Sequence, residues 1–587
     1  MPLRRWLQSR HATSSLRDAV RQSEIGIIGL GVLAGLFSGV LAALLGLAAR
    51  GLHWLLFGPE SAHGLSVLQG AEPLVFLLAP ATGGLLLGLL GLGLARWRPR
   101  QPIDPIEANA LHGGRMSLWD GVVVGAQNLL SNGFGASVGL EAAYTQAGGG
   151  VASRLGRAFG LRRGDLRLLV GCGAAGAIAA SFNAPLTGAF YAFELVIGSY
   201  AIAHLAPVLG AAVAGTAAGA LIGGGTPVLS AAGLGAPDWG DGGLALAIGL
   251  LCGLAAIALM RGVTLVEGGL RRAVPWAWLR PAIGGLAVGG LAQVTPGVLS
   301  AGHGALHLTF VVEGSALPLL VLLLLKALAS AISIGAGFRG GLFFASLLLG
   351  ALVGKLAVVP AAWLGITIDP LLAAIIGMSA FGAAVIGAPL AMTFIALETT
   401  QSFAVAGVVV VAVIVSATTV RRLFGYSFAT WRFHLRGEAI RSAHDIGWLR
   451  DLTVGKLMRR EVRTVRDDTR ISSFRREFPL GSVTHVVALD SAERYAGLIL
   501  VAEAHAPELA ESDTVAGLVH LKDQVLLPAL NAKQAMALFD ATDAEALAVV
   551  EQKDTSRVLG LLKASYLLRR YSEELGKRRQ DELGMPA

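Results

Sequence analysis

The chain has 587 residues, of which 54% are hydrophobic and only 15% charged, with 78 glycines and a net charge of +8. Soluble chains carry roughly a quarter charged residues, so this composition excludes an ordinary soluble enzyme. Set in so apolar a chain, the basic excess reads as cytoplasmic flanks of membrane segments and not as a nucleic-acid surface.

Residues 1–24 are basic and poor in acids, and they read as a cytoplasmic N-terminal segment under the positive-inside rule. Apolar runs follow near 25–57, 73–96, 120–131, 167–198, 201–222, 243–266, 276–299, 317–334, 341–366, 370–397 and 403–420. A span needs ~20 apolar residues, and several of these runs are short or interrupted by Gly or Pro. Broken helices at membrane depth persist only inside protein or along a cavity, so the pattern points to a transport pathway within 25–435. Cys172 and Cys252 both lie in apolar runs, which gives neither a disulfide framework nor a cysteine metal cluster. No metal-ligand spacing such as H-E-x-x-H and no clustered nucleophile and base are present, so no enzyme, metal or cofactor is expected.

After Tyr426 the sequence turns charged. A linker is expected at 436–448, then two similar units at 449–508 and 509–575, and a solvated tail at 576–587. Each unit reads as helix or turn, helix, strand, short turn, strand, helix, with period-2 apolar runs such as THVVALD and EALAVVEQ for the strands.

The membrane part repeats itself. APLTGAFYAFE, from Ala184 to Glu194, parallels APLAMTFIALE, from Ala388 to Glu398, at an offset of 204 residues. GLEAAYTQAG from Gly139 parallels GLFFASLLLG from Gly341 at an offset of 202. Two homologous halves, near 25–225 and 243–420, explain both matches. Transporters built this way place their site at the repeat interface, on discontinuous helices.

A helix start offers unpaired N–H groups and about half a positive charge. Several starts aimed at one point hold an anion without a buried cation. The blocks at 139–150 and 341–350 are candidates, which makes Gly139 and Leu140 backbone ligands. Glu141 lies in the first block. Its carboxylate can occupy the anion seat when charged and leave it when protonated, which is a proton-controlled gate. Glu194 and Glu398 end their apolar helices and read as helix-end acids near interfacial water. Lys326 and Arg339 flank the second block and are candidates for drawing anions into a vestibule.

These residues resemble the CLC family of chloride channels and chloride/proton antiporters, over most of 25–435, and the tail resembles the paired CBS domains of many members. The resemblance implies an all-α polytopic membrane protein, a CLC-type inverted repeat with broken helices, followed by a soluble α/β CBS pair. GLEAA at 139–143 is similar to the family's G-x-E-G-P element, which puts Glu141 on the gating glutamate. GGLFFAS at 340–346 is similar to G-x-F-x-P and carries anion-binding amides onto Leu342 and Phe343. SFNAPLTG at 181–188 resembles F-N-A-P-L-A-G, and GYSFAT at 425–430 puts the pore tyrosine on Tyr426.

QPIDPIEANAL at 101–111 falls on G-S-G-I-P-E-I-E-G-A-L, so Pro102 stands at the pore serine, as in some nitrate/proton exchangers of the family. The inner proton glutamate falls on Leu195, with Glu194 one residue before it as a candidate for the proton path. The implied function is transport of chloride or a similar anion, gated at Glu141 and modulated by the CBS pair. A nitrate-preferring or proton-coupled antiporter stays open, and so does a non-transporting membrane sensor. The resemblance also implies a homodimer in a bacterial inner membrane with both termini cytoplasmic. Adenine nucleotide at the CBS pair is the one ligand it suggests there. The absence of a Ser/Thr-x-x-Asp after GLILVAEAH and GLLKASYLL argues against it.

Overall fold

A computed structural model describes residues 23–68, 72–98, 100–223, 231, 234, 237, 239–311, 315–366, 368–435, 452–552 and 556–582. The basic segment 1–22, the linker 436–448 and residues 583–587 of the tail lie outside them. The chain divides into two compact units, Met1–Asp445 and Ile446–Ala587.

The first unit is helical. Its first half holds α1 (Glu24–Phe57), α2 (Pro73–Trp97), α3 (Pro105–Leu111), α4 (Leu118–Gly133), α5 (Glu141–Ala158), α6 (Arg163–Phe182), α7 (Pro185–Tyr191) and α8 (Ile202–Gly223). A π-helical turn, Ala192–Ile197, continues α7. The second half runs α9 (Trp239–Ala273), α10 (Arg280–Ala292), α11 (His303–Val311), α12 (Ala316–Ala336), α13 (Phe343–Trp363), α14 (Pro370–Ile386), α15 (Pro389–Thr400) and α16 (Phe403–Leu423). A short helix, α17 (Phe428–Leu435), closes the unit. Among the described residues, eight helices are long and apolar enough to cross a membrane, so this is a multi-pass membrane protein.

The breaks repeat with the halves. The apolar run 167–198 is two helices, because Asn183 caps α6 at φ 52° and Pro185 opens α7. The run 370–397 splits likewise, at Gly387 (φ 84°) and Pro389. A left-handed cap followed by a proline at the next helix start is a standard stop and restart.

Glycine sets the closest crossings. A Cβ on Gly148 of α5 would strike the Gly173 backbone of α6, and one on Gly350 of α13 would strike the Gly377 backbone of α14. The same steric requirement thus recurs at equivalent places in the two halves, as small-residue contacts between membrane helices allow. The halves also grip each other. Gly84 and Gly88 of α2 pack on the backbone of 278–282, while Gly285 and Gly289 of α10 pack on the backbone of 76–81.

A second grip uses the two helix-end acids, Glu194 and Glu398. The Glu194 carboxylate accepts the N–H groups of Leu390 (2.9 Å) and Ala391 (3.0 Å) at the start of α15. Glu398 accepts those of Leu186 (2.7 Å) and Thr187 (3.0 Å) at the start of α7, and the Thr187 hydroxyl (2.6 Å). Each acid caps the other half's helix, where orphan donors and the dipole favour a negative charge. Glu398→Ala leaves three donors without their acceptor, at about 1–3 kcal/mol for each that stays unsatisfied. A clear fall in thermal midpoint of the detergent-solubilised protein is expected. A midpoint unchanged from wild type would show that the clasp carries no stability.

Lys326 is fully buried, and its Nζ donates to the carbonyls of Val298 (3.1 Å) and Ser300 (2.7 Å). It therefore neither snorkels nor faces a vestibule.

The second unit is built twice over. Its first sheet joins β1 (Thr464–Arg466), β2 (His485–Leu489) and β3 (Tyr495–Leu500); its second joins β4 (Val525–Leu526), β5 (Ala546–Val550) and β6 (Val558–Lys563). In each, the first pair is parallel and the second antiparallel, with an irregularity near the end of the middle strand. The short strands β1 and β4 are too brief to show periodicity in sequence. The helices are α18 (Val454–Leu457), α19 (Ile471–Glu477), α20 (Val501–Ala504), α21 (Ala532–Thr542) and α22 (Ala564–Glu582). The two copies exchange their leading turns: Val454 and Leu457 of α18 enter the core beneath β5, while Val515 and Val519 enter the core beneath β2.

Candidate functional site

At the centre of the first unit lies a cavity of about 190 Å3. Residues at the starts of four helices line it: Pro105 and Ile106 of α3, Glu141 and Ala142 of α5, Phe343 of α13, and Phe428 and Ala429 of α17. The sequence marks two of these starts, and the fold brings in the other two. Aligned N–H groups and dipoles from several starts make such a space favourable for negative charge.

The loops that carry α5 and α13 are pinned together. Gly139 and Gly341 form an antiparallel bridge, with Gly139 N–H donating to Gly341 O (2.9 Å) and Gly341 N–H donating to Gly139 O (3.3 Å). Ser137 adds its N–H to the Ser333 hydroxyl (3.0 Å) and its hydroxyl to that of Ser330 (3.0 Å). Arg339 N–H donates to the Ser131 hydroxyl (3.0 Å). With its amide nitrogen turned toward the loops, Asn128 donates to Gly139 O (3.1 Å) and Arg339 O (2.9 Å).

The Glu141 side chain folds back into this pinned region and is 5% exposed. Its carboxyl overlies Gly139 and is within reach of the backbone amides of Glu141 itself and Phe344. Oε2 has no hydrogen-bond partner among the described residues.

Of the other expected ligands, Pro102, Leu342 and Phe343 line the cavity. Gly139 and Leu140 do not line it, and the Gly139 N–H is already used by Gly341. Tyr426 lies outside the lining as well. It precedes α17 and packs against Trp431, with ring centroids 5.5 Å apart. Tyr191 is the tyrosine that reaches the cavity, its ring centroid 5.9 Å from that of Phe343. Leu195 lines the cavity, whereas Glu194 is held at α15. Asp104, Arg339 and Arg432 also line it, and sequence reasoning assigned no role to Asp104 or Arg432.

A second cavity of about 340 Å3 shares Pro102 and Arg339 with the first. Arg98, Arg100 and Asp120 line it too, with Arg98 and Asp120 paired at 2.8 Å. Pro102 thus stands between a basic vestibule and the central space. Gln146 Nε2 holds its segment by donating to Ile103 O (2.8 Å).

The fold and this site define a class: multi-pass membrane proteins whose two interlocked halves enclose a space ringed by helix starts. The chain belongs to the CLC family, the voltage gated chloride channel pattern matching residues 83–421, more than half of its length. It is 34% identical over 374 residues to a ClcB-like chloride channel protein of Ralstonia nicotianae, covering 61% of this chain and 84% of that protein. It is 29% identical over 388 residues to the voltage-gated ClC-type chloride channel ClcB of Escherichia coli, covering 63% of this chain and 90% of that one. Among solved structures, a slow cyanobacterial Cl–/H+ antiporter matches 70% of this chain and 97% of its own, with a TM-score of 0.61 at 23% identity. A eukaryotic CLC transporter matches 92% of this chain and 97% of its own, with a TM-score of 0.57 at 17% identity. These structural likenesses speak to the fold.

Proposed function

We propose that this protein moves chloride or a similar small anion across the membrane through the central cavity, with Glu141 as the gate. The observation that carries the reading is the Glu141 carboxyl lodged among converging helix starts, beside Gly139 and Phe344. Charged, it fills the place an anion would take. Protonated, it loses its attraction to the N–H dipoles and yields the seat. Anion flux therefore rises as pH falls. Leu342 and Phe343 at the start of α13 are the backbone ligands. Arg339, shared by the two cavities, draws anions inward from the vestibule. Chloride efflux from liposomes carrying the full chain tests the reading, and a protein that passes no anion would be a membrane sensor instead.

Two of the similar proteins are named as chloride channels, which favours chloride. One feature favours nitrate: Pro102 offers no hydroxyl at the mouth between the two cavities. Pro102→Ser supplies a donor there and should shift the nitrate-to-chloride flux ratio toward chloride by about two- to tenfold, the worth of one net hydrogen bond. An unmoved ratio would remove Pro102 from the choice of anion.

The second unit acts in this reading as a CBS pair that modulates the transport domain structurally, without nucleotide. The chains pair as homodimers in a bacterial inner membrane, with both termini cytoplasmic.

A further inference from the structure

The second cavity holds about 340 Å3 against about 190 Å3 for the central one, and the two meet at Pro102 and Arg339. The larger space offers far more room than a monatomic anion fills.

Its walls differ in chemistry. Arg98 and Arg100 stand where the chain leaves α2, and Arg339 stands at the neck. α4 forms the facing wall and presents Asp120 and Gln127, about two turns apart. Three guanidinium groups face one carboxylate, so the space carries a net positive charge. The 2.8 Å pair of Arg98 with Asp120 ties the two walls together. Gln127 is only 7% exposed, and its Oε1 has no hydrogen-bond partner among the described residues. A buried acceptor left in that state is costly. A ligand that answers both walls brings oxyanion charge for the arginines and a donor for Gln127.

The cavity also lies at the edge of the apolar zone. α2 is long and apolar enough to cross a membrane, and it ends at Trp97, which is 88% exposed. Tryptophan settles at headgroup level, which puts Arg98 and Arg100 where lipid phosphates are found.

We propose that the second cavity binds a phosphate group that has a hydroxyl donor within reach, and that its occupant closes the mouth at Pro102. The charged oxygens accept from Arg98, Arg100 and Arg339, whose planar guanidinium groups suit a phosphate. The hydroxyl donates to Gln127 Oε1. Inorganic phosphate and the headgroup of phosphatidylglycerol both present this chemistry. With either in place, Arg339 is engaged at the neck and no longer passes anions to the central cavity. The closing role rests on the anion-transport reading; the binding site does not.

The test starts with binding to the purified full chain in neutral detergent. Calorimetric titration with inorganic phosphate at constant ionic strength is expected to give saturable heat. Arg100→Gln should weaken that affinity about tenfold or more, the worth of one hydrogen bond to a charged group. Arg100 is exposed, so its replacement leaves the fold in place. Gln127→Leu removes the acceptor and should weaken binding as well. A second arm offers phosphatidylglycerol and phosphatidylcholine in equal amounts and reads the retained lipid by native mass spectrometry. Selective retention of phosphatidylglycerol that Arg100→Gln loses identifies the lipid as the source, whereas phosphate heat without such retention identifies the free ion. Neither signal, or a signal that both variants keep in full, overturns the site. Chloride efflux from phosphatidylcholine liposomes then tests closure, with saturating phosphate or added phosphatidylglycerol according to the first result. Efflux should slow severalfold, and unchanged efflux with the ligand bound overturns the closing role. A protein that passes no chloride at all removes the transport reading and closure with it, while the binding result stands by itself.

Discussion

Glu141→Gln is expected to abolish the pH dependence of anion flux. The glutamine keeps the shape of the carboxyl but is neutral at every pH, so the attraction that seats Glu141 among the helix starts disappears. At alkaline pH, where the wild-type carboxylate sits in the way, the variant should pass anions on the order of tenfold faster, which corresponds to only ~1.4 kcal/mol of gating free energy. At acid pH the two proteins should converge. Chloride efflux from liposomes between pH 4.5 and 8 (a window of roughly the range over which a perturbed carboxyl titrates) makes the comparison. A variant whose flux still climbs as pH falls would falsify the gating role.

Gly139→Ala should reach the same end by steric means. A Cβ at Gly139 would overlap the Glu141 carboxyl, its Cδ and Oε1 both 2.7 Å away. The backbone of Gly139 is held by its paired bonds to Gly341, and its φ is not in the left-handed region. Alanine therefore fits the main chain, and what must give way is the far end of a flexible side chain. Eviction of the carboxyl at all pH values predicts alkaline flux near the acid level, on the order of the same tenfold gain. Adding Glu141→Gln should change little more, because both substitutions remove one occupant from one seat. Gly341→Ala is the contrast: its new methyl would meet Oε2 only at 3.5 Å, an ordinary contact, so pH dependence should persist. A wild-type pH profile in Gly139→Ala would show that Glu141 leaves its seat without needing the space above Gly139.

The architecture was legible where chemistry overrides composition. Proline and glutamate are rare in apolar helices, so the matched A-P-L-x-x-x-F-x-A-x-E blocks expose the repeat, and glycine with proline marks the breaks. The family's G-x-E-G-P pattern leads to Glu141, and the structure places that residue at the cavity. What stayed hidden depends on distance between chain segments. The resemblance puts the pore tyrosine on Tyr426 and says nothing of Tyr191; only the fold shows that Tyr426 packs on Trp431 while Tyr191 faces Phe343. Asp104 drew no reading from sequence; the fold shows that it caps α3 and also lines the cavity. Glu194 and Glu398 share a spacing, but that each serves the other half is a tertiary fact. The amide of Gly139 was expected to be free, and its use by Gly341 comes from the same pairing.

The crosswise caps have a bearing on ancestry. A half-length polypeptide with one proline-led helix and one trailing acid could close this ring with a second copy of itself, each subunit's glutamate meeting its neighbour's Leu-Thr or Leu-Ala amides. Joining the genes would then add a tether without asking either interface for new chemistry. The extra Thr187 hydroxyl on Glu398, with alanine opposite at 391, is the kind of drift that fusion permits, since two sites once encoded together are afterwards free to diverge.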